Sequence, residues 1–235
     1  MAGKKLLYEG TAKKIYLTDS EDKIVQEFKD DITSAKEPKN SKLKNKGKIN
    51  NILSSLIFEY LESHNIMTHY ISRLSDREML VKKLDIIPVK IVVRNICRGD
   101  FCKKYGLEEN TVLSYPVTEY YLKNKKLKNP MLSESHIIAF HFASKEEIKS
   151  ITKSISKINA VLKSFLERRQ LKLIDLSMEF GRFKGKILLG DELSMENCRF
   201  IDLENDDLGI SNKKQDLTKV YQYYYNRIVG ENQKV

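Results

Sequence analysis

Four carboxylates fall close together toward the C-terminal end of the chain, and their spacing suits holding a divalent cation against phosphate. Leu171 to Gly181 and Lys186 to Glu192 read as two strands joined at the turn-forming Lys184-Gly185, carrying Asp175, Glu179, Asp191 and Glu192. Alternation along the first strand puts Asp175, Ser177 and Glu179 on one face and Leu176, Met178 and Phe180 on the other. A two-residue turn at Lys184-Gly185 pairs position 179 with 190 and position 178 with 191, which brings Glu179 and Asp191 within a diagonal neighbour's reach. Two carboxylates so placed repel unless a cation joins them. Mg²⁺, which takes one or two carboxylates plus water and substrate phosphates, fits that need. The competing reading is a solvated sheet face lined by acids, and the hairpin alone leaves both open.

A second constellation lies at the N-terminus, where Leu7 to Tyr16 read LYEGTAKKIY. Gly10 and Ala12 let the backbone approach a triphosphate closely, and Lys13 can neutralise it. The stretch matches neither GxxxxGK[ST] nor GxGxxG. A β-rich N-terminal segment far ahead of a carboxylate hairpin nevertheless resembles the way kinase-like and grasp-like enzymes enclose ATP between lobes.

The elements that must position these residues follow from periodicity. Lys13 to Thr18 and Lys23 to Phe28 read as a β-hairpin, and Ile49, Ile52, Leu53, Leu56, Ile57, Tyr60 and Leu61 as a helix from Gly47 to Asn65. Thr68 to Ser72, Met79 to Leu84 and Val89 to Asn95 read as strands, giving a mixed sheet with that helix packed on it. Asp100 to Tyr105 suits a short helix stopped by Gly106, and Val117 to Leu122 a strand. Ser144 with Glu147 forms a capping box ahead of a long apolar face running from Ile148 to Leu166. Leu217 to Ile228 reads as a terminal helix. Pro88 marks a lobe boundary, dividing the chain into 1–86, a β-rich nucleotide-binding lobe, and 87–235, an α/β catalytic and substrate lobe.

Bulk properties narrow the class of partner. The 235 residues suffice for a core, and 42 Lys and Arg against 32 Asp and Glu leave a net charge of +10 that favours an anionic partner. The densest basic run, Lys36 to Lys48, has no aromatic interleaved, which favours a solvated loop over a nucleic-acid patch. Cys97, Cys102 and Cys198 are odd in number and lack CxxC spacing, so neither a disulfide framework nor a zinc site is expected, and a reducing compartment follows. No run of about 18 apolar residues and no leader pattern points to a membrane or to export, so a cytoplasmic protein is expected.

Several stretches together resemble the SAICAR synthetase family: LYEGTAKKIY at 7–16, KGKINN at 46–51, LVKKLDIIPVKIVVRN at 80–95, NPM at 129–131, MEFGRFKGKILLGDE at 178–192 and NCRF at 197–200. The resemblance implies an α+β fold of two lobes, with ATP between a β-rich N-terminal lobe and a larger α/β lobe. It implies an ATP-dependent ligase of purine biosynthesis that joins the carboxylate of carboxyaminoimidazole ribonucleotide to the amine of L-aspartate through an acyl phosphate. ATP and Mg²⁺ are the implied cofactors; the ribonucleotide carboxylate and L-aspartate are the implied small-molecule partners, with no nucleic acid or membrane and with homo-oligomerisation open. Carried onto this chain, Gly10, Thr11, Ala12 and Lys13 would face ATP phosphates, Lys82 and Leu84 the adenine, and Lys123 the nucleotide. Glu179 and Asp191 would hold Mg²⁺ and, with Lys13, serve catalysis. Arg94 and Arg199 would bind the ribonucleotide phosphate, Asp175 would lie near its ribose, and Asp100 and Ser177 would occupy acceptor positions. For the two arginines a structural ion pair is the alternative.

The chain departs from the family pattern chiefly at acceptor and aspartate positions. Thr11, Asp100, Ser177 and Gln215 stand where lysine, serine, lysine and arginine are usual, and Lys36-Glu37, after the Thr33 region, replaces an asparagine-glycine pair. Asn129 replaces an aspartate that could accept the amine's proton, which leaves the general base unidentified. Arg98, where alanine is usual, is expected to offset Asp100 through an ion pair. These changes keep open a paralogue that activates a different carboxylate, or a binding protein without ligase activity.

Overall fold

The computed structural model describes residues 5–32, 41–202 and 217–230. They divide into two units: the described residues of Met1–Leu84, Leu193–Met195 and Ile210–Val235, and those of Asp85–Glu192 and Glu196–Gly209.

The first unit is built on β1 (Leu6–Glu9), β2 (Lys13–Leu17), β3 (Lys23–Phe28), β4 (Tyr70–Arg73) and β5 (Glu78–Lys82), in the sheet order β1-β2-β3-β5-β4. Every pairing in it is antiparallel. The mixed sheet expected here is therefore corrected, and Val89 to Asn95 belong to the other unit's sheet. The physical reason is the short turn between β4 and β5, since a parallel pair would need a crossover of a dozen residues or more. α1 (Lys46–Ser63) buries Ile49, Ile52, Leu53, Ile57 and Leu61, and α5 (Leu217–Val229) packs against it.

The start of α1 explains the KGKINN stretch as architecture. Asp30 accepts the Gly47 N–H at 2.8 Å and a fork of two hydrogen bonds from Arg77 at 2.7 and 2.8 Å. A Cβ at position 47 would lie 2.4 Å from the Phe28 carbonyl oxygen, so only glycine fits. The Lys46 ammonium donates to the Asp31 carbonyl at 2.8 Å, and the Asn51 amide to the Ser75 carbonyl at 2.9 Å.

The second unit's sheet has the order β10-β9-β6-β7-β8, with β11 also paired to β9, again antiparallel throughout. Its strands are β6 (Asp85–Ile96), β7 (Val112–Leu122), β8 (Met131–Leu132), β9 (Leu171–Phe183), β10 (Lys186–Gly190) and β11 (Cys198–Asp202). Its helices are α2 (Asp100–Tyr105), α3 (Glu134–Ala139) and α4 (Lys145–Glu167). α4 packs on β9, whose Leu176, Met178 and Phe180 are buried as the alternation requires. Lys184 and Gly185 both have positive φ, 48° and 76°, the mirror-image turn that suits a two-residue hairpin, and Gly190 pairs with Glu179 in the expected register. Strand β7 begins five residues earlier than expected, at Val112. β11 was not foreseen.

Candidate functional site

β6 and β9 lie side by side in the middle of the second sheet, with Lys90 opposite Glu179, Val92 opposite Ser177 and Arg94 opposite Asp175. Because side chains alternate in face, these six residues form two adjacent rows on one side of the sheet. Lys90, Val92, Arg94, Asp175 and Ser177 of these rows line part of a cavity of about 320 Å³, which Arg98, Asp100, Phe101, Glu196, Asn197 and Arg199 complete.

One end of the rows is a pre-organised cationic corner. Asp175, only 5% exposed, accepts the Arg94 guanidinium at 2.9 Å and is gripped by Arg199 through Nε at 2.8 Å and through a second, shorter bond from its terminal nitrogen. Arg94 also donates through Nε to the buried Glu119 at 2.6 Å and lies over the Phe101 ring at 4.9 Å. Burial opposes the charge on Arg94, but hydrogen bonding to Glu119 and the charges of Glu119 and Asp175 outweigh it and hold its pKa above the ordinary guanidinium value. Both arginines are thus ion-paired. Five N–H donors per guanidinium leave further donors for an oxyanion, so the pairing orients the forks without exhausting them. Behind this corner the buried Cys198 thiol is pushed up to about 12 by desolvation, with Asp175 and Glu192 adding to the effect, so it carries no thiolate at neutral pH.

The other end carries the acids of the hairpin. The Glu179 carboxylate pairs with the Lys123 ammonium. Asp191 follows the last residue of β10 in a left-handed conformation, φ 62°, and accepts the Asn197 side-chain amide at 3.2 Å. Asn197 also donates to the Glu192 carbonyl at 2.9 Å, and its own carbonyl accepts the Ser177 N–H at 2.7 Å. Through its side chain and its main-chain carbonyl, that one residue ties the loop after β10 to β9, fixing Asp191 near the end of the row that Glu179 belongs to. Among the described residues no group of three or more metal-ligating side chains gathers. Two hard carboxylates near a lysine nonetheless fit Mg²⁺, whose remaining ligands are characteristically water and substrate phosphates.

The turn between β6 and α2 forms one wall. Cys97 and Cys102 are joined in a disulfide across it, with 5.4 Å between their α-carbons, which corrects the expectation that the cysteines form no disulfide. The spacing gave no hint because the bridge depends on Gly99, whose φ of 69° folds the turn back. Arg98, Asp100 and Phe101 face the cavity from this stapled segment. The expected Arg98 to Asp100 ion pair is not among the contacts of the described residues. Asp100 instead begins α2, where a carboxylate is favoured by the helix dipole.

The remaining expected residues are distributed as follows. In the first unit the Gly10 N–H donates to the Lys13 carbonyl at 2.8 Å, closing a turn between β1 and β2 with Thr11 exposed at its tip and Ala12 beside it. The Lys13 ammonium lies 5.8 Å from the Phe28 ring centroid. The Lys82 ammonium donates to the Thr68 carbonyl at 2.9 Å, and Leu84 follows β5, half-buried. In the second unit Asn129 is exposed, with φ 48°. Thr33, Lys36, Glu37 and Gln215 lie outside the described residues, as does part of the Lys36 to Lys48 run. Sequence reasoning missed Lys90, Glu119 and Asn197. The alternation that placed Asp175, Ser177 and Glu179 would have found Lys90 on β6.

Comparison with known proteins gives consistent matches over most of the chain. The family model described as SAICAR synthetase matches residues 6–233. The phosphoribosylaminoimidazole-succinocarboxamide synthase of Pelodictyon phaeoclathratiforme is 47% identical over 201 residues, covering 86% of this chain and 85% of that protein. The synthase of the same name from Chlorobium chlorochromatii is 44% identical over 225 residues, covering 95% and 96%. Among solved structures, a SAICAR synthetase in complex with ADP superposes with a TM-score of 0.92 at 37% identity, covering 98% of this chain and all of that one. The Ehrlichia chaffeensis phosphoribosylaminoimidazole-succinocarboxamide synthase does so at 0.91 and 32%, covering 97% and 100%.

Proposed function

The chain belongs to the SAICAR synthetase family, and from that membership we propose the residues with which it carries out the family's reaction. It is an ATP-dependent carboxylate-amine ligase of purine biosynthesis that joins carboxyaminoimidazole ribonucleotide to L-aspartate. Its relatives include a structure bound to ADP, in line with nucleotide use here.

The chemistry dictates two steps. A carboxylate offers an amine no adequate leaving group, so an oxygen of the imidazole carboxylate attacks the γ-phosphorus of ATP and ADP departs. The aspartate amine, having lost a proton, then attacks the acyl carbon, and phosphate leaves as the amide forms. Arg94 and Arg199, held by Asp175, bind the ribonucleotide phosphate through their unspent donors, because a planar fork matches phosphate geometry. Asp175 anchors both arginines and lies where a ribose would follow. Within the first unit, the Gly10 to Lys13 turn offers backbone donors and an ammonium to ATP phosphates, and Lys82 and Leu84 flank the adenine. Within the second, Lys123 contacts the nucleotide, and Glu179 and Asp191 are the Mg²⁺ ligands. When bound, Mg²⁺ neutralises charge developing on the transferring phosphoryl group. The exposed Asn129 cannot take the amine's proton, so the base is another group or water.

The observation that supports this reading best is the cavity with an arginine pair braced on a buried aspartate, and with Lys90, the register partner of the hairpin acid Glu179, also in its lining. The alternative of a catalytically silent binding protein is not favoured, since relatives 44–47% identical over most of the chain are phosphoribosylaminoimidazole-succinocarboxamide synthases. Incubation with ATP, L-aspartate and carboxyaminoimidazole ribonucleotide is expected to yield ADP and the succinocarboxamide in equal amounts, with omission of any one substrate abolishing both. Absence of the succinocarboxamide in the complete mixture overturns the proposal.

A further inference from the structure

Lys90 is the cavity cation that no carboxylate has claimed. Arg94 is paired with Glu119 and Asp175, Arg199 with Asp175, and Lys123 with Glu179. Arg98 is also engaged. Among the described residues the Lys90 side chain makes no hydrogen bond or ion pair, yet it lines the cavity from an exposed position on β6. Its place in the register is directly opposite Glu179, one step along the row from the Val92 and Ser177 pair.

That position has a chemical consequence. The β9 row holds Asp175, Ser177 and Glu179, two carboxylates and no cation, and the first two of these line the cavity. A ligand carboxylate approaching the Glu179 end would meet a glutamate whose partner Lys123 is already engaged, so a further cation is needed to hold it. Four residue steps along β6 take Lys90 to Arg94, roughly 13 Å at the usual rise, a span suited to a nucleoside monophosphate with its phosphate at the arginines and its base toward Lys90.

We propose that Lys90 holds the carboxylate of the acceptor ribonucleotide beside Glu179, and so selects the carboxylated imidazole over the same ribonucleotide lacking that group. The inference rests on the ligase reading above, which places the ribonucleotide phosphate at Arg94 and Arg199. An exposed ammonium is well solvated while the cavity is empty and gains a charge-assisted contact when the carboxylate arrives. A lysine also tolerates small shifts of its partner as the carboxylate becomes an acyl phosphate, since its head is a point charge on a flexible stem.

Calorimetric binding of the carboxylated and uncarboxylated ribonucleotides to wild-type protein, Lys90→Gln and Lys90→Arg tests this without requiring turnover. Wild type is expected to favour the carboxylated ligand. Lys90→Gln should lose about tenfold of that preference, the size expected for one hydrogen bond to a charged group, while Lys90→Arg keeps most of it. Binding of the uncarboxylated ligand and of ADP should be unchanged in both variants, which also shows that they fold. An unaltered preference in Lys90→Gln, or equal weakening of both ligands, overturns the role of Lys90 alone. Failure of the wild-type protein to bind either ribonucleotide overturns the ligase reading as well.

Discussion

Asp175 illustrates how much of the site depends on a single buried group. It is charged, nearly enclosed and gripped by two arginines, an arrangement that is favourable only because each partner's charge is met by good hydrogen bonds. Its place on the polar face of β9 was legible from alternation alone, as were Ser177 and Glu179. Lys90 shares the alternation of Arg94 on β6 and was legible in the same way though it was passed over, whereas Glu119 was not, because no local pattern marks which side of β7 faces the arginines. The Cys97 to Cys102 bridge escaped for a similar reason, being set by a glycine turn rather than by spacing. At Glu179 the account makes a direct prediction. Glu179→Gln should keep the fold and lower kcat by about 10² or more, as loss of one preorganised electrostatic contact typically does. A kcat within twofold of wild type, measured at saturating Mg²⁺ and ATP, would contradict the metal assignment.

Helix α4 shows the same logic in an element. Its start was legible because Ser144 and Glu147 form both halves of a capping box, with the Ser144 N–H donating to Glu147 at 2.8 Å and the Glu147 N–H to Ser144 at 3.1 Å. The sequence did not reveal that the same Glu147 carboxylate receives a fork from Arg182 on β9, at 2.6 and 2.9 Å, so that cap and ion pair lock the helix to the sheet. The Arg182 hydrogen bonds lower the Glu147 pKa from its ordinary 4.5, outweighing the opposite effect of burial. A carboxyl whose folded pKa is depressed stabilises the protein above its unfolded value and loses that contribution as pH falls through the folded value. Glu147→Gln is therefore expected to cost about 1–2 kcal/mol at neutral pH, with the difference from wild type shrinking below roughly pH 4.5. Urea unfolding at pH 7 and pH 3.5 checks this, and a difference that grows on acidification would refute it. Short elements were harder to read. β11 has five residues and β1 four, too few for periodicity to stand out, and each is fixed by pairing with a longer neighbour.

At the scale of the whole molecule, the net charge of +10 first read as a bias toward some anionic partner acquires a definite destination. The ligase handles ATP, a ribonucleotide and a dicarboxylate, all anionic, and the cavity of the second unit gathers four cations among its lining residues, Lys90, Arg94, Arg98 and Arg199. The family was legible because its motifs are spread along the chain, and several prove to be architectural, as the KGKINN stretch does at the start of α1. The departures at Asp100, Asn129 and Ser177 were equally legible as residues, but not in effect. Asp100 begins a helix, Asn129 is exposed, and Ser177 lies one step from Lys90 in the rows. The central claim is that this chain activates the acceptor carboxylate by phosphorylation before the amide forms. Oxygen-18 placed in the carboxylate of carboxyaminoimidazole ribonucleotide, followed by mass analysis of the phosphate released with ATP and L-aspartate, tests it most directly. The account predicts one labelled oxygen in each phosphate and one ADP for each amide; unlabelled phosphate accompanying amide formation would contradict it.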